Sequence, residues 1–244
     1  MRRPSAARSH SVGASAPADT RIYVVGDIHG RADLLSEITD RIDDDVRRRP
    51  IAQTAEIYLG DYIDRGPHSR TVVDLLAVRL VAHHAVCLRG NHEAVMERFL
   101  QNSTVLPYWQ QLGGMQTLAS YGVELRGGTE TAADVRRRFV DAFPRAHQLF
   151  MQCLRDLFVC GDFLFVHAGI RPGVPLEYQD PNDLIWIRDE FLDSAQDHGR
   201  FIVHGHTPVP YPDIRHNRIN IDTGAWRTGT LTCVAIEGST FLFL

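Results

Sequence analysis

The sequence contains no lysine: all 26 of its basic residues, in a chain of 244, are arginine. This absence excludes every reaction that needs a lysine side chain, including Schiff-base formation, attachment of pyridoxal phosphate, a Ser-Lys dyad and P-loop chemistry. Arginine binds anions but does not act as a general base, because it keeps its proton. The 12 histidines are many for this length, and histidine both ligates metals and transfers protons. The composition therefore favours metal or acid–base chemistry on an anionic substrate.

Cysteine pairs, long apolar runs and net positive charge are also missing. The four cysteines form no C-x-x-C pair, which excludes an all-cysteine zinc site and indicates reduced thiols. No run of about 18 apolar residues occurs, so we expect no transmembrane span. A net charge of -4 gives no reason to expect nucleic acid or a membrane surface as partner. We predict a cytoplasmic protein and leave its oligomeric state open.

We expect one folded domain over residues 21–244 and a disordered tail over residues 1–20. The tail is rich in Ala, Ser and Arg, has no acidic residue before Asp19, and lacks the apolar stretch of a secretory signal. An organellar transit peptide would share this composition. Within the domain, residues 103–155 have mostly helical spacing, with breaks at Pro107 and Pro144, and form a predicted helical insert.

The pattern after the tail alternates short apolar strands with amphipathic helices and then becomes rich in strands. The first half predicts strands at 22–25, 56–59 and 85–88 and helices at 31–46, 69–82 and from about 93. The second half predicts a hairpin of 156–160 with 163–167, and strands at 201–204, 219–221, 231–236 and 240–243. We therefore predict an α/β fold with two sheets in one domain.

Polar side chains follow five of the predicted strands. The segments at 26–30, 60–66 and 89–93 each combine glycine with carboxylate, imidazole or amide groups, and His167 and His206 follow two later strands. Because ligands bind outside the carboxyl ends of strands in α/β sheets, these side chains should converge. Mixed oxygen and nitrogen ligands suit Mn, Fe or Zn. The number of candidate ligands suits two ions that share one carboxylate and clamp a phosphate.

These segments resemble the motifs of the phosphoprotein phosphatase (PPP) family of calcineurin-like metallophosphoesterases, and the length and the 220–225 segment resemble its bacterial and phage branch. The similarity covers about residues 21–236 and implies a central β-sandwich flanked by helices. It implies two divalent ions, Mn first and Fe or Zn as alternatives. By the resemblance, the first ion is held by Asp27, His29 and Asp61, and the second by Asp61, Asn91, His167 and His206.

The resemblance also implies catalytic roles. His92 would be the general acid that protonates the leaving oxygen, and Asp64 would orient it. Phosphate oxygens would be held by the arginines of the motifs and by one in a looser match, namely Arg65, Arg89 and Arg188. The expected reaction is a one-step hydrolysis by metal-bound hydroxide, without a phosphoenzyme.

Three functions remain open, and the preferred one is a Ser/Thr protein phosphatase that hydrolyses phosphomonoesters of a phosphoprotein. The alternative is a dinucleoside polyphosphate (diadenosine tetraphosphate) hydrolase, and the remote one is an inactive scaffold. The Asp-Arg-Gly at 64–66 and the Asn-His-Glu at 91–93 look more like the protein phosphatases. Substrate choice is expected in residues 103–155 and the loops after His167. The aromatic residues that could line a groove, although such residues more commonly pack in the core, are Trp109, Tyr108, Trp186 and Trp226.

Overall fold

The computed structural model describes residues 10–126 and 128–244, with only the backbone described at residues 10 and 11. In these residues the strands are β1 (His10–Ser11), β2 (Thr20–Val25), β3 (Gln53–Tyr58), β4 (Val86–Cys87), β5 (Leu157–Cys160), β6 (Phe163–Val166), β7 (Phe201–His204), β8 (Asp213–Ile214), β9 (Arg218–Asn220), β10 (Cys233–Glu237) and β11 (Thr240–Phe243). The helices are α1 (Ala32–Arg48), α2 (Ser69–Ala82), α3 (Asn91–Gln101), α4 (Leu106–Leu112), α5 (Gly114–Ser120), α6 (Ala132–Ala142), α7 (Arg145–Gln152), α8 (Pro181–Trp186), α9 (Asp189–Leu192) and α10 (Ala225–Thr228). Two 3₁₀ helices cover Ser103–Val105 and Leu176–Tyr178.

The strands form two mixed sheets. The first has the order β1-β11-β10-β2-β3-β4, with β2, β3 and β4 parallel and the other pairs antiparallel. The second has the order β5-β6-β7-β9-β8, with β6, β7 and β9 parallel between two antiparallel edges. The predicted hairpin is the β5–β6 pair, and the predicted division into two sheets is confirmed.

An apolar layer fills the space between the sheets, because their strands carry β-branched and aromatic residues on the facing sides. Its buried members come from both sheets, with Ile57 and Ile236 from the first and Phe165 and Val203 from the second. A second cluster lies between the first sheet and helices α1 to α7, and a third joins the second sheet to α8 and α9. The result is the predicted β-sandwich flanked by helices.

The helices follow the apolar periodicity of the sequence. Helix α1 buries Leu35, Ile38 and Ile42 along one face, at the spacing that predicted it. The predicted helix at 69–82 matches α2 at both ends. The segment 103–155 is helical as expected, since it contains α4 to α7. No helix in the described ranges has both the length and the apolar character needed to cross a membrane.

The predicted disordered tail differs from the structure over residues 10–20. Strand β1 pairs with β11, Ala16 is buried in the layer between the sheets, and the Ala16 amide donates to the carbonyl of Gly238 at 2.9 Å. Composition predicted disorder, whereas the structure packs Ala16 and the partly buried Val12 and Ala14 against the layer between the sheets. Residues 1–9, the rest of that predicted tail, lie outside the described residues.

Candidate active site

The carboxyl ends of both sets of parallel strands meet at one rim of the sandwich. Strands β2, β3 and β4 of the first sheet lead into Asp27, Asp61 and Asn91. Strands β6 and β7 of the second sheet lead into His167 and His206. The ring of His167 joins the sheets there, with its Nδ1 2.9 Å from the carbonyl oxygen of Leu59. The predicted convergence of distant segments is therefore present.

Asp61 lies at the centre of this rim. Its carboxylate is 3.5 Å from Nε2 of His29, 3.7 Å from Nε2 of His92 and 3.3 Å from Nε2 of His167. All four side chains are buried, with at most 3% of their surface exposed. Two groups of possible metal ligands share this carboxylate: one contains His29 and His92, and the other contains His167 and His206.

Asn91 lies between the two histidines of the second group. Its Oδ1 is 3.1 Å from Nε2 of His167 and 3.0 Å from Nδ1 of His206. Burial lowers the pKa of His167, and burial followed by the charge of His167 lowers that of His206 to about 2. The neutral imidazole favoured by these shifts is the form that ligates metals.

Asp27 brings a second buried carboxylate to the same place. It accepts hydrogen bonds from the backbone amide of His206, at 3.1 Å for Oδ2. Its pKa is raised well above the ordinary value by burial, then by the charges of Asp222 and Asp61. Burial first, with a contribution from Asp61, also raises the pKa of Asp222 to about 6. Three buried carboxylates this close together are unfavourable without a cation.

The backbone is strained at several of these positions, and this conformation sets the direction of their side chains. Five site residues other than glycine have left-handed φ angles, at 46° to 70°, where such residues are uncommon: His29, Asp61, Asp64, Arg65 and His206. Strain of this kind persists where surrounding contacts enforce it, and it clusters at functional sites.

Glu93 supplies part of that enforcement. Its buried carboxylate accepts hydrogen bonds from the backbone amides of Asp61, Tyr62 and Gly90, at 2.8 to 2.9 Å. Burial, followed by the charge of Asp61, raises the pKa of Glu93 to about 8. These contacts make Glu93 the anchor between the loop after β3 and the start of α3.

His92 and Asp64 form a buried pair beside Asp61. The Nδ1 atom of His92 is 2.7 Å from Oδ2 of Asp64. Burial acts to lower the pKa of His92, but the charges of Asp61 and Asp64 and the hydrogen bond to Asp64 outweigh it, so the pKa is raised. Trp109 donates its indole N–H to Asp64 at 2.9 Å, and the hydroxyl of Thr117 donates to it at 2.6 Å.

The three predicted phosphate-binding arginines differ in position. Arg65 places NH2 3.2 Å from Nε2 of His92 and is half-buried at the rim. Arg188 is close enough that its charge, after burial, contributes to the lowered pKa of His167. Arg89 instead pairs with Glu97, and its Nε lies 3.9 Å from Asp156. Two carboxylates therefore already engage Arg89, and its contacts give no support to the phosphate-binding role.

Sequence reasoning missed Asp222 and Thr117 as site residues, and it named Trp109 only as a groove candidate, without its contact with Asp64. Asp222 follows β9, so the strand-end rule that found Asp27 and Asp61 also applied to it. Trp109 and Thr117 lie on α4 and α5, and helical periodicity contains no signal for a contact with a residue about 50 positions away.

The donor set fits divalent cations. It combines carboxylate and amide oxygens with neutral imidazoles, as borderline metals prefer. Nδ1 of His206 and Nε2 of His167 both face Oδ1 of Asn91, so these three side chains present their donor atoms to one another as ligands of a shared ion would. A third cluster, formed by Asp43, Glu56 and His83, differs because Arg79 already pairs with both of its carboxylates.

Comparison with known proteins places this geometry in a family. The family model described as calcineurin-like phosphoesterase matches residues 20–228, which includes every strand that leads into the rim. The chain belongs to this family. It is therefore a metal-dependent phosphoesterase with the α/β fold that the motifs predicted.

The names of two relatives state a more specific activity than the family description does. It is 26% identical over 230 residues to the asymmetrical bis(5'-nucleosyl)-tetraphosphatase PrpE of Halalkalibacterium halodurans, covering 86% of this chain and 88% of the relative. It is 28% identical over 229 residues to the protein of the same name from Anoxybacillus flavithermus, with the same two coverages. Neither name is that of the Ser/Thr phosphatase branch.

Solved structures show the same fold at lower identity. A candidate diadenosine tetraphosphatase matches with a TM-score of 0.62 at 18% identity, covering 96% of this chain and 97% of its own. A cold-active protein tyrosine phosphatase from a psychrophilic Shewanella matches with a TM-score of 0.58 at 13% identity, covering 93% of this chain and 80% of its own. A Ser/Thr phosphatase from Saccharomyces cerevisiae matches with a TM-score of 0.53 at 16% identity, covering 91% of this chain and 81% of its own.

Proposed function

We propose that this phosphoesterase hydrolyses dinucleoside tetraphosphates asymmetrically, to a nucleoside triphosphate and a nucleoside monophosphate. The observation that carries the chemistry is the pair of ligand groups sharing Asp61, one of which includes His92, with Arg65 3.2 Å from Nε2 of His92. The substrate class rests on the named relatives, which favour the dinucleotide alternative over the protein phosphatase preferred from the motifs.

Two divalent cations fit the rim. We assign Asp27, His29 and Asp61 to one and Asp61, Asn91, His167 and His206 to the other, with Asp61 shared between them. Bound cations of this kind polarise a phosphoryl oxygen and activate water. In our proposal the imidazoles contribute because burial keeps them neutral, and Glu93 contributes by holding the backbone that presents Asp61.

We assign protonation of the leaving oxygen and binding of the phosphoryl oxygens to side chains of the protein. His92, with a raised pKa and an Nδ1 held by Asp64, would donate a proton from Nε2 to the leaving oxygen. Arg65, 3.2 Å from that nitrogen, would bind the phosphoryl oxygens next to it, and Arg188 would approach from the side of His167 and His206. Arg89 is left out, since carboxylates engage it.

A phosphoprotein is the second candidate substrate. It is supported by the Asp-Arg-Gly at 64–66 and the Asn-His-Glu at 91–93, which resemble the protein phosphatases. The two candidates differ in the leaving group. A serine alkoxide needs a proton from His92, whereas the phosphate oxygen of an anhydride leaves more readily and depends less on it.

The decisive experiment compares three substrates with Mn²⁺: diadenosine tetraphosphate, a phosphoserine peptide and a phosphotyrosine peptide. We expect the dinucleotide to have the largest kcat/KM, to release ATP and AMP, and to be protected by a chelator. A larger kcat/KM on a peptide would contradict the dinucleotide proposal and favour the phosphoprotein as substrate. Release of two ADP molecules would contradict asymmetrical cleavage.

The role of His92 has its own test in His92→Asn. The variant should retain two metals by elemental analysis while kcat on an alkyl phosphomonoester falls about 10²- to 10⁴-fold, with a smaller loss on the dinucleotide. His84→Asn is the matched control, because His84 is exposed and its left-handed φ of 52° suits asparagine. Loss of metal from His92→Asn would mean that His92 is a ligand instead.

A further inference from the structure

Trp226 is a half-exposed indole at the rim of the site. It lies on α10, which begins three residues after the buried Asp222, and 39% of its surface is exposed. Of the other two tryptophans, Trp109 is fully buried against Asp64, and Trp186 packs edge-on against His206 at 6.1 Å between ring centroids. Among the three tryptophans, Trp226 has the most exposed ring, and it lies at the rim.

Arg65 connects this indole to the reacting centre. Its guanidinium carbon is 5.4 Å from the centroid of the Trp226 ring, and its NH2 is 3.2 Å from Nε2 of His92. One guanidinium thus separates the indole from the proposed proton donor. A phosphoryl group held between Arg65 and His92 would have its next substituent within reach of Trp226.

The loop that carries Trp226 is held in place on several sides. Arg31 donates to the carbonyl of Ala225 at 3.0 Å, and Asp222 accepts from the amide of Gly224 at 2.9 Å. The hydroxyl of Thr228 donates to the carbonyl of Thr223 at 3.0 Å. A fixed aromatic surface binds a flat ligand at a lower entropic cost than a mobile one.

We propose that Trp226 binds a nucleobase of the dinucleotide by stacking it on the open part of the indole, beside the part covered by Arg65. This inference rests on the proposed dinucleotide activity. The indole would contact the base by stacking and the Arg65 guanidinium by a cation–π interaction, since every base has a π-face and arginine is attracted to an aromatic ring. Trp226 would then be a specificity-determining residue that distinguishes nucleotide anhydrides from base-free phosphates.

The kinetic test uses two anhydrides that differ in the presence of a base. For Trp226→Leu we expect KM for diadenosine tetraphosphate to rise about 5- to 150-fold, the range of one lost base stack. Inorganic tripolyphosphate should change by less than about 2-fold in KM, because it has no base to lose. Trp226→Phe should recover most of the affinity. An equal loss on both substrates would show that Trp226 acts only through Arg65 and would overturn the inference, as would an unchanged KM on the dinucleotide.

A binding measurement separates this inference from the proposed activity. ATP should quench the tryptophan fluorescence of the wild type, tripolyphosphate should not, and Trp226→Leu should lose the ATP effect. A wild type that fails to cleave the dinucleotide yet shows this quenching would reject the proposed activity and keep the base site. A wild type that cleaves the dinucleotide with no quenching of Trp226 by ATP would reject the base site alone.

Discussion

Three side chains converge on the buried carboxylate of Asp64. His92 is 2.7 Å from Oδ2, Trp109 donates to the same oxygen at 2.9 Å, and Thr117 donates to Oδ1 at 2.6 Å. The Thr117 hydroxyl also accepts from the backbone amide of Asp64 at 2.9 Å. Because hydrogen bonds to a carboxylate are among the stronger ones, these contacts fix the direction of the carboxylate that holds His92.

Thr117→Val should therefore slow catalysis without greatly changing substrate affinity. The change keeps the shape of the side chain but leaves Asp64 one donor short, at a cost of about 1–3 kcal/mol in stability. We expect kcat to fall about 10-fold, more with an alkyl phosphate than with 4-nitrophenyl phosphate, because only the poorer leaving group depends strongly on His92.

Thr39→Val is the control for this variant, since the Thr39 hydroxyl bonds to carbonyls of its own helix α1. It should leave kcat on both substrates unchanged and alter the melting temperature only slightly. An equal kcat loss of Thr117→Val on both leaving groups would indicate general loosening and argue against support of His92.

The sequence predicts the residues of this site unevenly. Asp27, Asp61 and His167 could be predicted because each follows an apolar strand, and strand ends converge by topology. The supports of Asp64 could not, because α4 and α5 present ordinary helical patterns and their contact with Asp64 depends on how the insert packs. The phosphate-binding role of Arg89 stays a prediction from its motif position, and in the structure its guanidinium pairs with a carboxylate on α3.

Chain segments approach one another closely at the junctions between strands and helices. At the start of α3, a Cβ on Gly90 would lie 2.2 Å from Oδ1 of Asp61 and 2.3 Å from its backbone nitrogen. In the loop before α2, a Cβ on Gly66 would lie 2.1 Å from the carbonyl oxygen of His29. These glycines are needed for close approach between chain segments, which brings the ligands of separate strands together.

Gly90→Ala should therefore damage both stability and activity. Gly90 has φ -94° and ψ 168°, which alanine adopts freely, so the effect isolates the steric clash. We expect a loss of about 1–3 kcal/mol in unfolding free energy, as for overpacked sites, and a marked fall in kcat because Asp61 must move. Gly13→Ala is the control, with nothing within 4 Å of the added carbon. Equal denaturation midpoints for the two variants would refute the close approach.

The two ends of the sandwich differ: the candidate ligands lie at one end, and contacts that connect the two sheets lie at the other. The parallel strands deliver the ligands at one rim, and at the opposite rim residues 12–18 connect the two sheets. There the Ser15 amide donates to Asp162, in the β5–β6 turn of the second sheet, at 3.0 Å. The Ala16 amide donates to Gly238, in the β10–β11 turn of the first sheet, at 2.9 Å. Sequence patterning predicted the strands and both sheets, but not this connection, which depends on backbone atoms that any residue supplies.

Ala16→Asp should lower thermal stability while leaving the active site intact. The side chain of Ala16 is in the apolar layer between the sheets, so the substitution buries an unpaired carboxylate at a cost of about 3 kcal/mol. For a domain of this size we expect the melting temperature to fall by roughly 6–12 °C. Below that transition, kcat should stay near the wild-type value, because the ligands lie at the other rim. Ala18→Asp, two residues along the chain and exposed, should unfold like the wild type. If both variants unfolded at the wild-type temperature, residues 12–18 would not be packed as the structure describes, and the tail predicted from composition would extend through them.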